Sequence, residues 1–110
     1  CIEGTKGHAL QDTIQKMAEK KQAVVMNKIT FGAKNLPEEI EKLAGGVPES
    51  IELVGLCTDI CVISNAMLLK AFYPEMPISV DASACAGVTP QSHKNALEAM
   101  KMCQIDIVNE

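Results

Sequence analysis

The stretch Ile51-Glu52-Leu53-Val54-Gly55-Leu56-Cys57-Thr58-Asp59-Ile60-Cys61-Val62 decides how this chain is read. Its first half, Ile51 to Cys57, is an apolar run of strand length; its second half is a short polar break opening a nearly all-apolar helix. Thr58 or Asp59 is placed to cap that helix, accepting hydrogen bonds from its first free N–H groups. With Thr58 as cap, Cys61 falls three residues in, where those N–H groups and the helix dipole favour an anion. A thiolate there is expected to form at lower pH than on a free cysteine, and the thiolate is the nucleophile. Read as packing alone, Cys61 is a small apolar filler. The polar lead-in and the helix-start position favour the reactive reading.

Outward from this stretch, strands and helices alternate. Leu10, Ile14 and Met17 have helical spacing, ended by Glu19-Lys20-Lys21. Gln22 to Asn27 carries Ala23-Val24-Val25-Met26, predicted as a short buried strand with Lys28 half-buried at its mouth. A second helix enters through Pro37 with Ile40, Leu43 and Ala44 on one face, and Gly45-Gly46 stops it. After the central strand and the helix Asp59 to Phe72, Pro74 and Pro77 lead to a strand at Ile78 to Ala82. Thr89-Pro90 opens a last helix whose His93, Ala96, Leu97, Met100 and Cys103 share a face, followed by a short strand from Ile105 to Val108. Each strand-to-strand connection is a crossover, which predicts an α/β layer with parallel strands.

Composition narrows the function classes. The 110 residues make one domain at most, and all ten basic residues are lysine in a chain of net charge −4. Without the arginine fork that suits phosphate and guanine, nucleic acid is not an expected partner. No apolar run is long enough to span a bilayer, so no membrane association is expected. Five irregularly spaced cysteines do not form a secreted disulfide framework, which points to a reducing cytoplasm.

Reactive groups in such folds gather at the carboxyl ends of strands. Three candidates fall there: Lys28, the Cys57–Cys61 segment, and Asp81 to Cys85. Lys28 can hold a carboxylate, stabilise developing negative charge or shuttle a proton, but spacing alone favours a snorkelling surface lysine. Cys57 and Cys61 form a C-x3-C pair, not a thioredoxin-like C-x-x-C, and Ser64 and Asn65 offer no metal ligands nearby. Cys1, Cys85 and Cys103 read as packing residues. His93 reads as a hydrogen-bonded structural histidine, His8 as an exposed loop residue, and Asp59 or Asp81 as a possible base. No G-x-G-x-x-G or Walker loop supports nucleotide binding.

Glu3-Gly4-Thr5-x-Gly7, Lys28 after an apolar run, Gly-Leu-Cys-Thr-Asp-Ile-Cys-Val, Val80-Asp81-Ala82 and Ser92-His93-x3-Leu97 together resemble the isochorismatase-like cysteine hydrolases, of which nicotinamidase is the best-known member. The resemblance implies a Rossmann-like, doubly wound parallel sheet in three α/β/α layers and an Asp-Lys-Cys triad. On it, Cys61 is the nucleophile and Lys28 the triad lysine. The backbone N–H groups of Cys57 and Cys61 form the oxyanion hole, with a non-proline cis peptide at Leu56–Cys57. Phe31 corresponds to an aromatic wall of the substrate pocket. The implied reaction is amide hydrolysis through a thioester on a small-molecule substrate, in a homo-oligomer. Members that act on the vinyl ether of isochorismate lack the cysteine, so its presence favours an amide.

The same resemblance places the triad aspartate, and the Asp-x-His motif that holds a divalent, zinc-like metal, before Cys1. Residues 1–110 are thus expected to be the C-terminal portion of a single hydrolase domain, with a sheet incomplete at its N-terminal side. No cofactor is expected on this chain's own residues, and full activity is not expected of them alone. A non-catalytic remnant serving ligand binding or subunit contact, and a redox thiol module built on Cys57 and Cys61, are the alternative readings.

Overall fold

The predicted alternation of helices and strands is largely realised, around one parallel sheet. The structure, a computed structural model, describes residues 1–110. Its elements are α1 (Asp12–Lys20), α2 (Leu36–Ala44), β1 (Ile51–Leu56), a π-helical turn (Thr58–Val62) running into α3 (Ile63–Phe72), β2 (Ile78–Ala86), α4 (Pro90–Met102) and β3 (Asp106–Val108). The three strands lie in the order β1-β2-β3, all parallel. No helix is long and apolar enough to cross a membrane.

Local sequence explains most element ends. Gln11 caps α1, its side-chain oxygen accepting from the N–H groups of Thr13 and Ile14. Pro37 sits in the first turn of α2, and Gly45 ends that helix in the left-handed conformation at φ 71°, which glycine adopts without a Cβ penalty. Thr89 and Ser92 form a reciprocal capping box at the start of α4. Helices α3 and α4 pack on the sheet face of Ile78, Val80 and Ala82, and Val62, Ala66, Leu69, Tyr73, Leu97 and Met100 complete the core there. On the other face Glu52, Val54 and Leu56 of β1 stay exposed.

Several sequence readings are corrected. Residues 22–28 form no strand, and Val24, Val25 and Lys28 are exposed rather than buried. A strand exists only through its hydrogen-bonded neighbours, and this segment pairs with none of the three strands. Leu43 and Ala44 of α2 are exposed too; Pro37 is buried and Ile40 half-buried. Cys1 and Cys103 are exposed, not packing residues, because α4 ends before Cys103 reaches the core. His8 is half-buried in a turn.

Strand β2 outruns its predicted end at Ala82 and continues to Ala86. Pairing passes from Leu53↔Val80 to Gly55↔Cys85, an irregularity that Gly55 accommodates at φ 122°. Asp81 gathers the surplus residues, accepting from the backbone N–H (3.0 Å) and hydroxyl (2.6 Å) of Ser83. Asp81 and Cys85 therefore lie within the strand and not beyond it.

Candidate active site

The β1 strand delivers Cys57 and Cys61 to the carboxyl edge of the sheet. The Leu56–Cys57 peptide is cis. Beyond it the chain makes a π turn, in which the Cys57 carbonyl accepts from the N–H groups of Ile60 (3.1 Å) and Val62 (3.0 Å) and passes over that of Cys61. Turns of this kind are frequent at functional sites.

Neither expected cap is made. Thr58, fully buried, bonds through Oγ1 to His93 Nδ1 at 2.8 Å, and Asp59 accepts from the Val88 N–H at 3.2 Å. The wider π turn places Cys57 at the cap position with no side-chain cap bond, which frees both polar side chains to tie the helix start to the β2–α4 connection and the first turn of α4. The neighbouring Ser92 hydroxyl, together with the Val88 N–H, holds the Asp59 carboxyl below its ordinary value. His93 is thereby the hydrogen-bonded structural histidine expected of it.

Lys28, although exposed and outside any strand, brings Nζ to 3.3 Å from Cys61 Sγ and donates as well to the Thr30 carbonyl at 3.1 Å. A cleft of about 310 Å³ opens on the lysine side of this pair, lined by Met26, Asn27, Lys28, Thr30, Ala33 and Asn35 among others; Cys61 does not line it. Phe31 is 64% exposed and lies outside that lining. Asp81, a candidate base, is instead engaged with Ser83 and Asn109, which hold its carboxyl below the usual range. Burial, reinforced by the charge of Asp81 and partly offset by the Gly55 N–H, pushes the Cys85 thiol up, so Cys85 is not an activated thiol.

Sequence reasoning passed over Asn65. It is 9% exposed, and its amide accepts from the Ala33 N–H at 2.8 Å while donating to the carbonyls of Phe31 (3.2 Å) and Cys61 (2.9 Å). The available signal was a polar amide one turn after the cysteine in an otherwise apolar helix. No three histidine, cysteine, aspartate or glutamate side chains gather where they could hold a metal ion, so the residues present do not fit a metal site.

The isochorismatase domain family matches residues 2–109. Among solved structures, the nicotinamidase/pyrazinamidase PncA of Bacillus subtilis is 27% identical with a TM-score of 0.76, over 96% of this chain and 60% of that one. The nicotinamidase SaPncA of Staphylococcus aureus is 25% identical with a TM-score of 0.78, over 99% of this chain and 70% of that one. The pyrazinamidase/nicotinamidase of Streptococcus mutans, at 24% identity and a TM-score of 0.76, shares the fold. The chain thus spans about 60% of the length of the Bacillus protein. A comparison with curated protein sequences finds no match.

Proposed function

The chain belongs to the isochorismatase domain family, and from that premise we propose that it is the C-terminal portion of a cysteine hydrolase acting on a small amide, with Cys61 as nucleophile. The observation that carries this reading is the 3.3 Å approach of Lys28 Nζ to Cys61 Sγ. An ammonium group at that distance can pass a proton to a departing amine.

In this reading the Cys61 thiolate attacks the amide carbonyl carbon, and the C=O electron pair moves onto oxygen. The N–H groups of Cys61 and Cys57 receive that oxyanion, a role supported by the Cys57 carbonyl bonding Ile60 and Val62 but not Cys61. The oxyanion collapses, the C–N bond breaks, and nitrogen leaves as ammonia or amine with a proton supplied by Lys28 or by the base. Water then hydrolyses the thioester, giving the carboxylic acid and regenerating Cys61. By the family resemblance the triad aspartate is proposed to lie in a segment upstream of Cys1; within the chain, Asp59 and Asp81 are engaged elsewhere. A divalent metal, if the family's upstream Asp and His ligands are present, belongs to that segment as well. Phe31 is proposed as a wall of the substrate pocket. A cytoplasmic homo-oligomer is the setting proposed for the activity.

The same engagement of Asp59 and Asp81 favours a second reading, a non-catalytic member that keeps the fold for ligand binding or subunit contact. One experiment separates the two. The full-length protein is screened for ammonia release over small amides, nicotinamide and pyrazinamide included. Release that disappears in Cys61→Ala supports the hydrolase. No release from any amide, or release that survives Cys61→Ala, overturns it.

A further inference from the structure

We propose that Asn65 is a positioning residue that holds the Lys28 loop against Cys61; the inference rests on the hydrolase reading above. The Lys28 segment pairs with none of β1, β2 and β3, so side chains make its hydrogen bonds to the Cys61 helix. Apart from the Lys28–Cys61 contact itself, the side-chain hydrogen bonds joining residues 28–33 to the Cys61 helix all run through Asn65.

The chemistry of the amide explains why this side chain serves. The surrounding groups are one N–H, from Ala33, and two carbonyls, from Phe31 and Cys61. A carboxamide offers one acceptor oxygen and two donor hydrogens, so all three partners are satisfied and the amide orientation is fixed. The bond to the Cys61 carbonyl anchors the amide on its own helix, and the other two anchor the loop. Ala33 is buried at 6% exposure, and Gly32 lies close above Ser64, where an added Cβ would stand 3.5 Å from the Ser64 Cβ. Loop and helix are thus closely apposed at this point. A carboxylate would keep the Ala33 bond but lose both donations, and a leucine of similar size would lose all three.

The test is the rate of Cys61 alkylation by iodoacetamide in the full chain, read by mass spectrometry against exposed Cys103 as internal reference. Wild type is expected to label Cys61 faster than Cys103. Lys28→Met should lower the Cys61:Cys103 ratio by about tenfold, Asn65→Leu by a similar factor, and the double variant no further, since both remove one interaction. Asn65→Asp, which retains one of the three bonds, should give an intermediate loss and decides the matter should Asn65→Leu not fold. An unchanged ratio in the folded Asn65 variants, or additive losses in the double variant, overturns the positioning role alone. A ratio indifferent to Lys28→Met overturns the Lys28–Cys61 reading, and the positioning role with it.

Discussion

Lys28 Nζ lies 3.3 Å from Cys61 Sγ across a separation of 33 residues, with the lysine on an extended loop and the cysteine in a helix-opening turn. The contact joins two elements that share no backbone ladder, so side chains and local packing must hold it. Its energetic worth for a reaction depends on the lysine charge reaching the sulfur through little intervening water. Lys28→Met keeps the stem and removes the charge. In the full-length protein it is expected to lower kcat/KM for amide hydrolysis by about a hundredfold or more, the scale of a lost proton-transferring group. Ammonia release measured against wild type checks this, and a loss below about threefold would remove Lys28 from the chemistry.

Tyr73 reports on the α2–α3 junction. Its hydroxyl donates to the Glu41 carboxylate, and burial together with that carboxylate pushes the phenol up to about 12. A folded value above the unfolded one means that the contribution to stability is whole below pH 10 and fades as pH rises through 12. The chain has one tyrosine and no tryptophan, so near-ultraviolet phenolate absorbance follows this group alone. The expected midpoint is about 12 in wild type. In Glu41→Gln it should fall but stay above 10, because burial is the larger cause. A titration unchanged by Glu41→Gln would mean that the pair does not form in solution.

Leu69 is completely buried at the centre of the face that α3 turns to β2. Leu69→Ala should cost about 2–5 kcal/mol of unfolding free energy, the sum of lost transfer and the cavity left behind. Urea denaturation gives the value. The exposed Leu43 in α2 is the control, where the same change should stay within about 0.5 kcal/mol.

Gly87 has room for nothing larger. A Cβ there would come within 2.9 Å of His93 Cβ and 3.0 Å of its backbone N and Cα. Gly87→Ala must therefore push the first turn of α4 outward, away from the partly buried Thr58–His93 bond, at about 1–3 kcal/mol. Thermal unfolding should show the loss, and the His93 ring resonances should shift in NMR spectra. A neutral variant would show that the turn yields freely.

What could be read in advance followed the distance over which each cause acts. Strand β1, helix α3 and the Thr89-Pro90 opening of α4 are dictated by residues close in sequence, and the parallel α/β layout follows from them. The segment Ala23 to Met26 has strand composition, yet composition cannot supply a hydrogen-bonded neighbour, and here the segment has none. Thr58 and Asp59 look like caps because caps are local; their real partners, His93 and Val88, lie 35 and 29 residues on. The extension of β2 through Ser83 and Ala84 depends on the Gly55 irregularity in another strand. The pairing of Lys28 with Cys61 follows from family resemblance; spacing alone favours a surface lysine. Asn65 stood in plain view as an amide in an apolar helix, but its three partners are visible only once the loop is folded over it.

The π turn at Thr58–Val62 also limits how this stretch of gene can drift. A π turn closes on i→i+5 bonds where an α turn closes on i→i+4, so deleting one codon between Cys57 and Ile63 would let the turn close as an α turn, and inserting one would break its bonding register. Helix α3 could keep its packed face and the protein could still fold, while the placement of Cys57 relative to Cys61 changed. Substitutions within the turn leave that spacing as it is; changes of length do not.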